Sequence, residues 1–466
     1  MNYLDFLERK RIDVATLAAP IKAKPHPNAK PHQSDCLEFL LQIGRGAAFL
    51  DTGLGKTFLQ LDWARHIPGK VLIVAPLAVA QQTLNEAKRL LDLDITYSSD
   101  GKVKSDITIT NYDRLHNFDS YQFEGVVLDE SSILKGKNSK TKGQLIEMFS
   151  ETPYRLACTA TPAPNDYTEL GNHAEFLGIM NTQEMLTRWF IHDSANTGDW
   201  RLKGHAVKPF WEWVSSWAAC VSKPSDLGHS NEGYDLPPLK IKTHTVESPL
   251  KEAEGMLFDI PSINATELHA SKRATIHQRC GLVAEMVNRD AALCKPWIVW
   301  CESNQESETL AALIPDAVEV KGADTIESKE RKLMAFTNGD ARVIISKPSI
   351  CGFGMNWQHC RNIAFASISY SYEKFYQAIR RSWRFGQTEK VHIEVVLSDA
   401  ELPVWRSVES KATNHQSLKD HMRFAVFKSN ASSNVKVEYN PKMEVNLPSF
   451  LTEKHDEIAK AKGVAS

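Results

Sequence analysis

The stretch AAFLDTGLGKTFLQL, residues 47–61, limits the possible folds of this chain more than any other feature. An apolar run is followed by a glycine-rich turn and then by apolar residues at helical spacing. Strand, glycine-rich turn and helix is the arrangement of a phosphate-binding loop. Gly53 and Gly55 would allow the turn. Lys56 would then reach the β- and γ-phosphates, and Thr57 would ligate Mg²⁺. The sequence therefore predicts an α/β fold with a site for ATP and Mg²⁺.

Leu50 departs from the usual form of this pattern, which has its first glycine at that position. The alternative interpretation is a surface turn that contains Gly-Lys-Thr by chance. The apolar strand before the turn and the helical spacing after it favour the working site. A working site requires a subclass of protein that does not need a glycine at position 50.

Length and composition limit the class of protein. The 466 residues predict two or three domains, and 42% hydrophobic with 24% charged residues excludes a chain disordered throughout. The net charge of −2 means that any nucleic-acid surface is a local patch. No apolar run reaches the length of a membrane span, so no membrane segment is expected. Eight scattered cysteines without a Cys-x-x-Cys pair argue against zinc and for a cytoplasmic location.

Two series of alternating strands and helices predict two lobes, each with a parallel sheet. The first series has predicted strands at Ala47–Asp51, Val71–Ala75, Ile107–Thr110, Gly125–Asp129 and Arg155–Thr159, with helices such as Val79–Leu90 and Ser139–Phe149. The second has strands at Trp297–Cys301, Ala317–Val320, Arg342–Ser346, Asn362–Ala366 and Val391–Leu397, with helices at Glu327–Phe336 and Tyr372–Trp383.

The segment between the two series is rich in tryptophan and basic residues. Base stacking beside phosphate contacts is one interpretation. The favoured interpretation is a buried helix face, because six apolar residues recur at helical spacing. These residues are Phe210, Trp213, Val214, Trp217, Ala218 and Val221.

An acidic pair ends one predicted strand of the first lobe, in the segment GVVLDESS. Parallel α/β sheets bind ligands at the carboxyl ends of their strands, so this pair is expected at the nucleotide. Asp129 would hold Mg²⁺ through water, and Glu130 would orient the attacking water. Gln33, ahead of the first strand, could read the adenine edge with its amide.

The segment YEKFYQAIRRSWRFGQ, residues 372–387, supplies the expected contribution of the second lobe. If it is one helix, Gln377, Arg381 and Arg384 share a face at i, i+4 and i+7. The sharper hypothesis makes the two arginines fingers that stabilise charge on the γ-phosphate, and the alternative is a solvated basic face. Arg380 lies about 100° round such a helix from Arg381, so it is expected to matter less.

Taken in order, these segments resemble helicase superfamily two, and within it the Swi/Snf-type ATPases. The matching stretches are KPHQSDCLEFLL, DTGLGKT, VLIVAPLAVAQQTLNE, ITNYDRL, LDESSILKGKNSKT, LACTATPAPNDYTELGN, SKPSICGFGMNWQ and YQAIRRSWRFGQTEKV. Members of that group also lack the early glycine, so Leu50 does not indicate a decayed site. Ser131, Ser132 and Trp383 depart from the family, which has an alanine and two histidines there. In the family those histidines help to link hydrolysis to the bound strand.

The resemblance implies two RecA-like lobes with a helical, tryptophan-rich insertion between them. The expected divisions are a lead-in at 1–30, an ATP-binding lobe at 31–180, the insertion at 181–272, a second lobe at 273–400, and C-terminal helices with a tail at 401–466. The compact chain suggests a bacterial or phage protein, located in the cytoplasm of a bacterial cell or an infected host.

The resemblance also implies an ATP-driven motor on DNA, with duplex DNA as the expected track. The expected contacts with the strand are Thr110, Asn111, Thr161, Lys347, Gly352 and Asn356, which follow strand ends where phosphates can bind. A strand-separating DNA or RNA helicase is the first alternative, and a nucleotide-gated scaffold with little turnover is the second. A nuclease reading of PDAVEVK fails because Asp316 and Glu319 are too close in sequence, so this segment is taken as the start of a strand.

Overall fold

The structure, a computed structural model, describes residues 17–135, 140–192, 200–248, 265–351 and 355–431. Within these ranges the helices are α1 (Pro31–Ile43), α2 (Lys56–Ala64), α3 (Leu77–Leu91), α4 (Lys140–Met148), α5 (Leu170–Leu177), α6 (Thr182–Trp189), α7 (Val207–Ser215), α8 (Ala265–Ala274), α9 (Ile276–Arg289), α10 (Asn304–Leu313), α11 (Ile326–Asn338), α12 (Pro348–Cys351), α13 (Tyr372–Ile379) and α14 (Leu402–Ala431). The strands are β1 (Arg45–Leu50), β2 (Val71–Ala75), β3 (Thr96–Tyr97), β4 (Ile107–Asn111), β5 (Gly125–Asp129), β6 (Tyr154–Cys158), β7 (Phe190–His192), β8 (Trp200–Leu202), β9 (Ala218–Val221), β10 (Lys240–Val246), β11 (Trp297–Trp300), β12 (Ala317–Glu319), β13 (Val343–Ser346), β14 (Asn362–Phe365) and β15 (His392–Ser398).

The first lobe is built on a parallel sheet with strand order β3-β4-β2-β5-β6-β1-β9. Its central strands are apolar along their whole length, as in VLIVA of β2, and every residue of β2 and β5 is buried. Strands covered by helices on both faces of a sheet need such continuous apolar runs. The carboxyl ends of β1 and β5 lie on the same edge of the sheet, which brings the glycine-rich turn and the acidic pair together.

The second lobe has a parallel sheet with strand order β10-β15-β14-β11-β13-β12. One of its core clusters contains Trp300, Trp357 and Phe365, and α13 packs into it through Phe375. That cluster also includes Ala160, which belongs to the first lobe. The fold class predicted from the sequence, two RecA-like lobes with parallel sheets, is therefore confirmed, and β12 begins directly after Asp316 as expected.

The tryptophan-rich middle differs from the predicted helix face. Helix α7 ends at Ser215, and Ala218–Val221 form β9, which pairs with β1 at the edge of the first sheet. A short apolar run such as WAACV is compatible with a buried strand and with a buried helix. The predicted helix face therefore extends beyond the true end of α7 at Ser215. The burial itself is confirmed, because Trp213 and Trp217 are fully buried.

The segment after the middle joins the second lobe. Strand β10 pairs in parallel with β15 along its whole length, from Lys240 with His392 to Val246 with Ser398. The chain thus leaves the first sheet at β9 and enters the second sheet at β10, inside the range 181–272 assigned to the insertion. The domain divisions remain a prediction, with 193–199 and 249–264 outside the described residues.

Helix α14 follows the second lobe and packs against both lobes. It contacts α7 and β9 of the first lobe and α13 of the second. Its residue Leu418 is buried, and the ring of His421 stacks on that of Trp211 at 5.6 Å between centroids. Across the described parts of the chain, we find no helix with the length and apolar character needed to cross a membrane.

Candidate nucleotide site between the two lobes

The phosphate loop, residues 51–57, has the backbone that its glycines require. Gly53 and Gly55 have φ angles of 95° and 81°, a region that side-chain-bearing residues rarely adopt. A Cβ on Gly53 would lie 2.9 Å from the Cβ of Phe385, which belongs to the second lobe. The loop therefore needs glycine at position 53 both for its turn and for the close approach of the second lobe.

Lys56 begins α2 and turns its amine back towards β1. Its Nζ donates a hydrogen bond to the carbonyl oxygen of Leu50 at 3.1 Å. Burial lowers the pKa of the Lys56 amine, and the nearby charges of Glu130 and Asp51 raise it in partial compensation. A partly buried amine at the N-terminus of a helix is suited to bind an anionic phosphate. Thr57, the next residue, is partly exposed at the same helix N-terminus.

Gln33 lies against the phosphate loop from α1. Its Nε2 donates to the carbonyl oxygen of Leu54 at 3.0 Å, and its Oε1 accepts from the backbone N–H of Lys30 at 2.9 Å. Both ends of the amide therefore bind backbone in this conformation. Gln33 fixes the position of the loop relative to α1, and its reading of adenine remains a prediction.

The acidic pair lies where β5 ends. Asp129 is buried, and its Oδ1 accepts a hydrogen bond from Nε2 of Gln60 at 2.8 Å. Glu130 has a φ of 54°, and its Oε2 lies 3.5 Å from the hydroxyl of Thr159. Tyr112 donates to the carbonyl oxygen of Asp129 at 2.7 Å, which holds the strand end in place. Gln60, one turn into α2, was missed in the sequence, although its spacing from Lys56 puts it on the same helix face.

The charges of this pair fit a divalent cation. Burial and the neighbouring charge of Glu130 raise the pKa of the Asp129 carboxyl to about 7. Carboxylate and hydroxyl oxygens are the ligands that Mg²⁺ prefers, and a cation would compensate the negative charge that burial disfavours. Asp129 and Thr57 are the residues whose oxygens would hold Mg²⁺ at this site.

The arginines expected as fingers bind their own lobe. Nη1 of Arg381 and Nη1 of Arg384 lie 3.3 and 3.2 Å from the carbonyl oxygen of Met355. Nε of Arg381 donates to the carbonyl oxygen of Gln377, whose side chain is buried. The predicted shared helix face is wrong, because α13 ends at Ile379 and both arginines lie in the turns that follow.

Arg380 reaches the first lobe instead. Its Nη2 donates to the carbonyl oxygen of Thr52 at 2.5 Å and lies 3.2 Å from Oδ1 of Asp51. Arg380 was expected to matter less than Arg381 because of its place on a longer helix; that helix ends at Ile379, and the effect of Arg380 on turnover remains a prediction. The signal that the sequence carried was the acidic Asp51 at the start of the loop, which needs a partner when buried.

The residues that stand where the family has an alanine and two histidines make other contacts here. The hydroxyl of Ser132 donates to Oε1 of Glu373 at 2.5 Å, and Lys135 also pairs with Glu373. Glu373 belongs to α13, so this contact joins the acidic strand end to the second lobe. The hydroxyl of Ser131 is buried with no hydrogen-bond partner among the described residues. Trp383 donates through Nε1 to the carbonyl oxygen of Pro237 at 2.7 Å.

The side chains predicted to meet a nucleic-acid strand fall into two groups. Those of Thr110 and Thr161 are fully buried, so in this conformation they could offer only their backbone to a ligand. Asn111 is also buried, and its Nδ2 donates to the hydroxyl of Tyr97 at 2.7 Å.

In the second lobe the predicted strand contacts are more open. Lys347 follows β13, and its Nζ donates to Oδ1 of Asn304 at 2.7 Å on the rim of a crevice that Lys321 also lines. Asn356 is exposed. Gly352 lies outside the described residues.

Comparison with known proteins shows what part of this chain resembles. Residues 32–210 match the SNF2-related domain. This chain carries an SNF2-related domain. The match includes the phosphate loop, the acidic pair and Gln33, so the predicted resemblance to the Swi/Snf-type ATPases of helicase superfamily two is confirmed for this part of the chain.

Three curated relatives extend the comparison. A putative protein p41 of the Acyrthosiphon pisum secondary endosymbiont phage 1 is 23% identical over 78% of this chain and 90% of its own length. A probable ATP-dependent DNA helicase, CHR12, of Arabidopsis thaliana is 25% identical over 34% of this chain and 18% of that protein. The human DNA annealing helicase and endonuclease ZRANB3 is 21% identical over 82% of this chain and 39% of that protein. This chain thus spans well under half of the plant and human proteins.

Among solved structures, a Sulfolobus solfataricus SWI2/SNF2 ATPase core in complex with dsDNA resembles this chain at a TM-score of 0.40 and 15% identity. The likeness covers 88% of this chain and 96% of that one.

Proposed function

We propose that this protein is a motor that hydrolyses ATP to move along DNA, with duplex DNA as its track. The observation that carries the proposal is the contact of the two lobes at the phosphate loop, where Gly53 lies against Phe385. A nucleotide bound in that loop would lie between the lobes, so binding and release of phosphate would change how they close. Such alternation between closed and open lobes is how a two-lobed ATPase can step along a strand.

The residues of the first lobe have separate roles in the proposed hydrolysis. Lys56 binds the phosphates, and Thr57 and Asp129 hold Mg²⁺, which neutralises developing phosphate charge when it is bound. Glu130 orients the attacking water, since its carboxylate stands at the strand end beside Asp129. Gln33, whose amide binds backbone at Leu54 and Lys30 in this conformation, is proposed to read the adenine edge by exchanging those partners for the base.

Arg381 and Arg384 are proposed as the positive charges that the second lobe brings to the γ-phosphate. Both are held by the carbonyl oxygen of Met355 in this conformation, so the proposal requires them to exchange that partner for phosphate. Gln377 precedes them on α13. We expect Arg381→Ala and Arg384→Ala each to reduce ATP turnover by about 10³-fold with little loss of ATP binding, measured by phosphate release and by nucleotide fluorescence. Normal turnover would leave these residues with a structural role only.

DNA is the proposed partner because the plant and human relatives are named as DNA helicases. Contacts with phosphates would come from strand ends of both lobes, near Thr110, Asn111 and Thr161 in the first lobe and near Lys347, Gly352 and Asn356 in the second. The phage relative agrees with a protein that works in the cytoplasm of a bacterial cell or an infected host.

One set of measurements separates this proposal from its alternatives. ATP turnover is measured without nucleic acid and with single-stranded DNA, duplex DNA and RNA, and we expect the largest stimulation by duplex DNA. Displacement of a triplex-forming strand then reports movement along a duplex, and release of a labelled strand from a fork reports unwinding. Fork unwinding without triplex displacement would favour the strand-separating helicase. Absence of turnover under all conditions would favour the nucleotide-gated scaffold.

A further inference from the structure

Asp51, the residue between β1 and the glycines, is a meeting point for three parts of the chain. Its Oδ1 accepts a hydrogen bond from the hydroxyl of Tyr376 and lies 3.2 Å from Nη2 of Arg380, both from the second lobe. Its Oδ2 accepts from Nζ of Lys419 at 2.9 Å, and Lys419 belongs to the C-terminal helix α14. We name Asp51, Tyr376, Arg380 and Lys419 the Asp51 network.

The members of the Asp51 network are largely removed from water. The side chains of Asp51, Arg380 and Lys419 are 13%, 4% and 14% exposed. Burial by itself raises the pKa of the Asp51 carboxyl, but the charges of Arg380 and Lys419 more than offset this, and the pKa lies below its ordinary value. One carboxylate thus compensates two partly buried cations. Removal of the Asp51 charge would leave both cations without compensation, whereas removal of Lys419 would leave Asp51 paired with Arg380 alone.

The network acts on the backbone of the phosphate loop. Arg380 donates to the carbonyl oxygen of Thr52 while it pairs with Asp51, so a single guanidinium holds two consecutive residues of the loop. Phe385, five residues further on, lies against Gly53. The N–H groups of the loop can bind phosphate only if the loop backbone keeps its conformation. The second lobe contacts three adjacent residues of that backbone, Asp51, Thr52 and Gly53.

Helix α13 also holds the acidic strand end. Glu373 and Tyr376 are spaced i and i+3 and share one face of the helix, and Arg380 is the first residue after the helix ends at Ile379. Glu373 binds Ser132 and Lys135, while Tyr376 and Arg380 bind Asp51. One face of α13, together with the residue that follows the helix, therefore contacts both the acidic strand end and the phosphate loop, and α14 adds Lys419.

We propose that Arg380 and Lys419 are positioning residues that fix the phosphate loop through Asp51 when the lobes are closed. Helix α14, which carries Lys419, would thereby contribute to ATP hydrolysis. This inference rests on the proposed ATP hydrolysis at that loop. Neither residue would touch ATP, and the network exists only with the second lobe in place. Its loss should therefore lower kcat while the KM for ATP, set largely by the first lobe, changes little.

The first test compares variants of Lys419 and Asp51 in steady-state ATP turnover. Lys419→Met and Asp51→Asn should each lower kcat about tenfold with KM within about twofold. The double variant should be no slower than the slower single variant, because both act through one contact. Lys419→Arg keeps the charge and should retain most of the activity. Arg406→Met, an exposed site on the same helix, is the matched control and should behave as the unsubstituted protein.

A second measurement reports closure without any need for turnover. Two spin labels can report the distance between the lobes. One label is attached to Cys294, which is exposed in the second lobe, and the other to Tyr121→Cys, at a position that is 84% exposed in the first lobe. Cys351→Ser removes a further thiol that could take up label. Lys419→Met and Asp51→Asn should broaden that distance distribution, whereas Lys419→Arg and Arg406→Met should not. An unchanged distribution together with unchanged kcat, or a rise in KM with unchanged kcat, would overturn the positioning role. Broadening in a protein that never hydrolyses ATP would overturn the proposed function and leave the network standing.

Discussion

At the scale of single residues, Glu130 combines two uncommon features. It follows a buried strand directly, and its φ of 54° is a left-handed conformation that costs a non-glycine residue about 1 kcal/mol or more. A glycine would relieve that strain, yet the chain has a carboxylate there. Strain of this kind persists where a side chain is needed in one direction, and here it turns Glu130 out of line with β5 beside Asp129.

We expect Glu130→Gln to bind ATP normally and to lose turnover, because the amide keeps the shape of the side chain but cannot accept a proton from water. Lys56→Ala should instead lose ATP binding, since the buried amine that would compensate phosphate charge is gone. Fluorescent-nucleotide binding and phosphate release separate the two effects. Normal turnover in the Glu130 variant would contradict the water-orienting role.

His415 supplies a prediction on acid stability. It is buried on α14 beside Tyr372 and Tyr376, and neither ring nitrogen has a hydrogen-bond partner among the described residues. Burial, helped by the charge of Lys419, lowers its pKa from 6.5 to about 3. Its folded pKa is below its unfolded pKa, so stability is lost as pH falls from about 6.5 towards 3, because the unfolded chain takes up the proton first.

The corresponding variant is His415→Phe, which cannot take up that proton. We expect its Tm to fall less than that of the unsubstituted protein between pH 7 and pH 4.5, measured by thermal unfolding. Some pH dependence should remain, because burial also lowers the pKa of His173 to about 4. His116→Gln, at an exposed position, is the control and should leave the pH dependence as it was. An equal fall in Tm in the His415 variant would contradict the prediction.

At the scale of elements, α7 is held by packing between tryptophans. From the sequence alone, base stacking was the alternative interpretation of these tryptophans. The ring of Trp213 lies 4.6 Å from that of Trp189 and 5.3 Å from that of Trp217, and its side chain is fully buried. A stacking platform for bases must be reachable from solvent, so this cluster is core. It attaches β9, and through it the edge of the first sheet, to α6 and α7.

Trp213→Ala should therefore destabilise the first lobe by roughly 3–5 kcal/mol, the usual result of emptying a large buried aromatic site. Chemical denaturation followed by fluorescence measures this. Trp200→Ala, on the partly exposed β7–β8 hairpin, should cost clearly less. The stacking interpretation would be favoured if Trp213→Ala weakened DNA binding while stability stayed the same.

The sequence predicted best what depends on short, local patterns. Strands β2 and β5 match their predicted bounds, because continuous apolar runs next to turn residues leave little choice. The phosphate loop was recognised because glycine, lysine and threonine at fixed spacing have one common physical use. The end of α13 at Ile379 was missed, since nothing in IRRSWR breaks a helix and the turn depends on tertiary contacts such as that of Trp383 with Pro237.

Contacts across the lobes could not be predicted at all from spacing. Asp51 and Lys419 are 368 residues apart, and no local rule connects them. The choice between Arg380 and Arg381 as the residue that reaches the first lobe depends on where one helix ends. A pattern at i, i+4 and i+7 identifies a face only if the helix continues through all three positions.

At the scale of the whole molecule, the two lobes meet through polar groups as well as through packing. The contacts of α13 with Asp51 and with Ser132 are hydrogen bonds and ion pairs between charged or polar partners. Polar contacts of this kind tolerate exchange with water or ligand better than a continuous apolar interface does, which suits lobes that open and close. Each lobe meanwhile keeps a parallel sheet with apolar strands as its own core.

The whole molecule also sets how the proposed motor should bind DNA. With a net charge of −2, long-range attraction to DNA is weak, so binding must depend on a local set of contacts to phosphates. Neutralisation of about six phosphates by lysine or arginine side chains would reduce affinity roughly 10³-fold between about 50 and 200 mM salt, with little dependence on base sequence. Fluorescence anisotropy on duplexes of different sequence measures both quantities. Lys347→Met, at a strand end of the second lobe, should reduce the salt slope by about one unit, whereas Lys88→Met on the exposed face of α3 should not. Binding that is insensitive to salt, or a Lys347 variant with an unchanged slope, would contradict the proposed track.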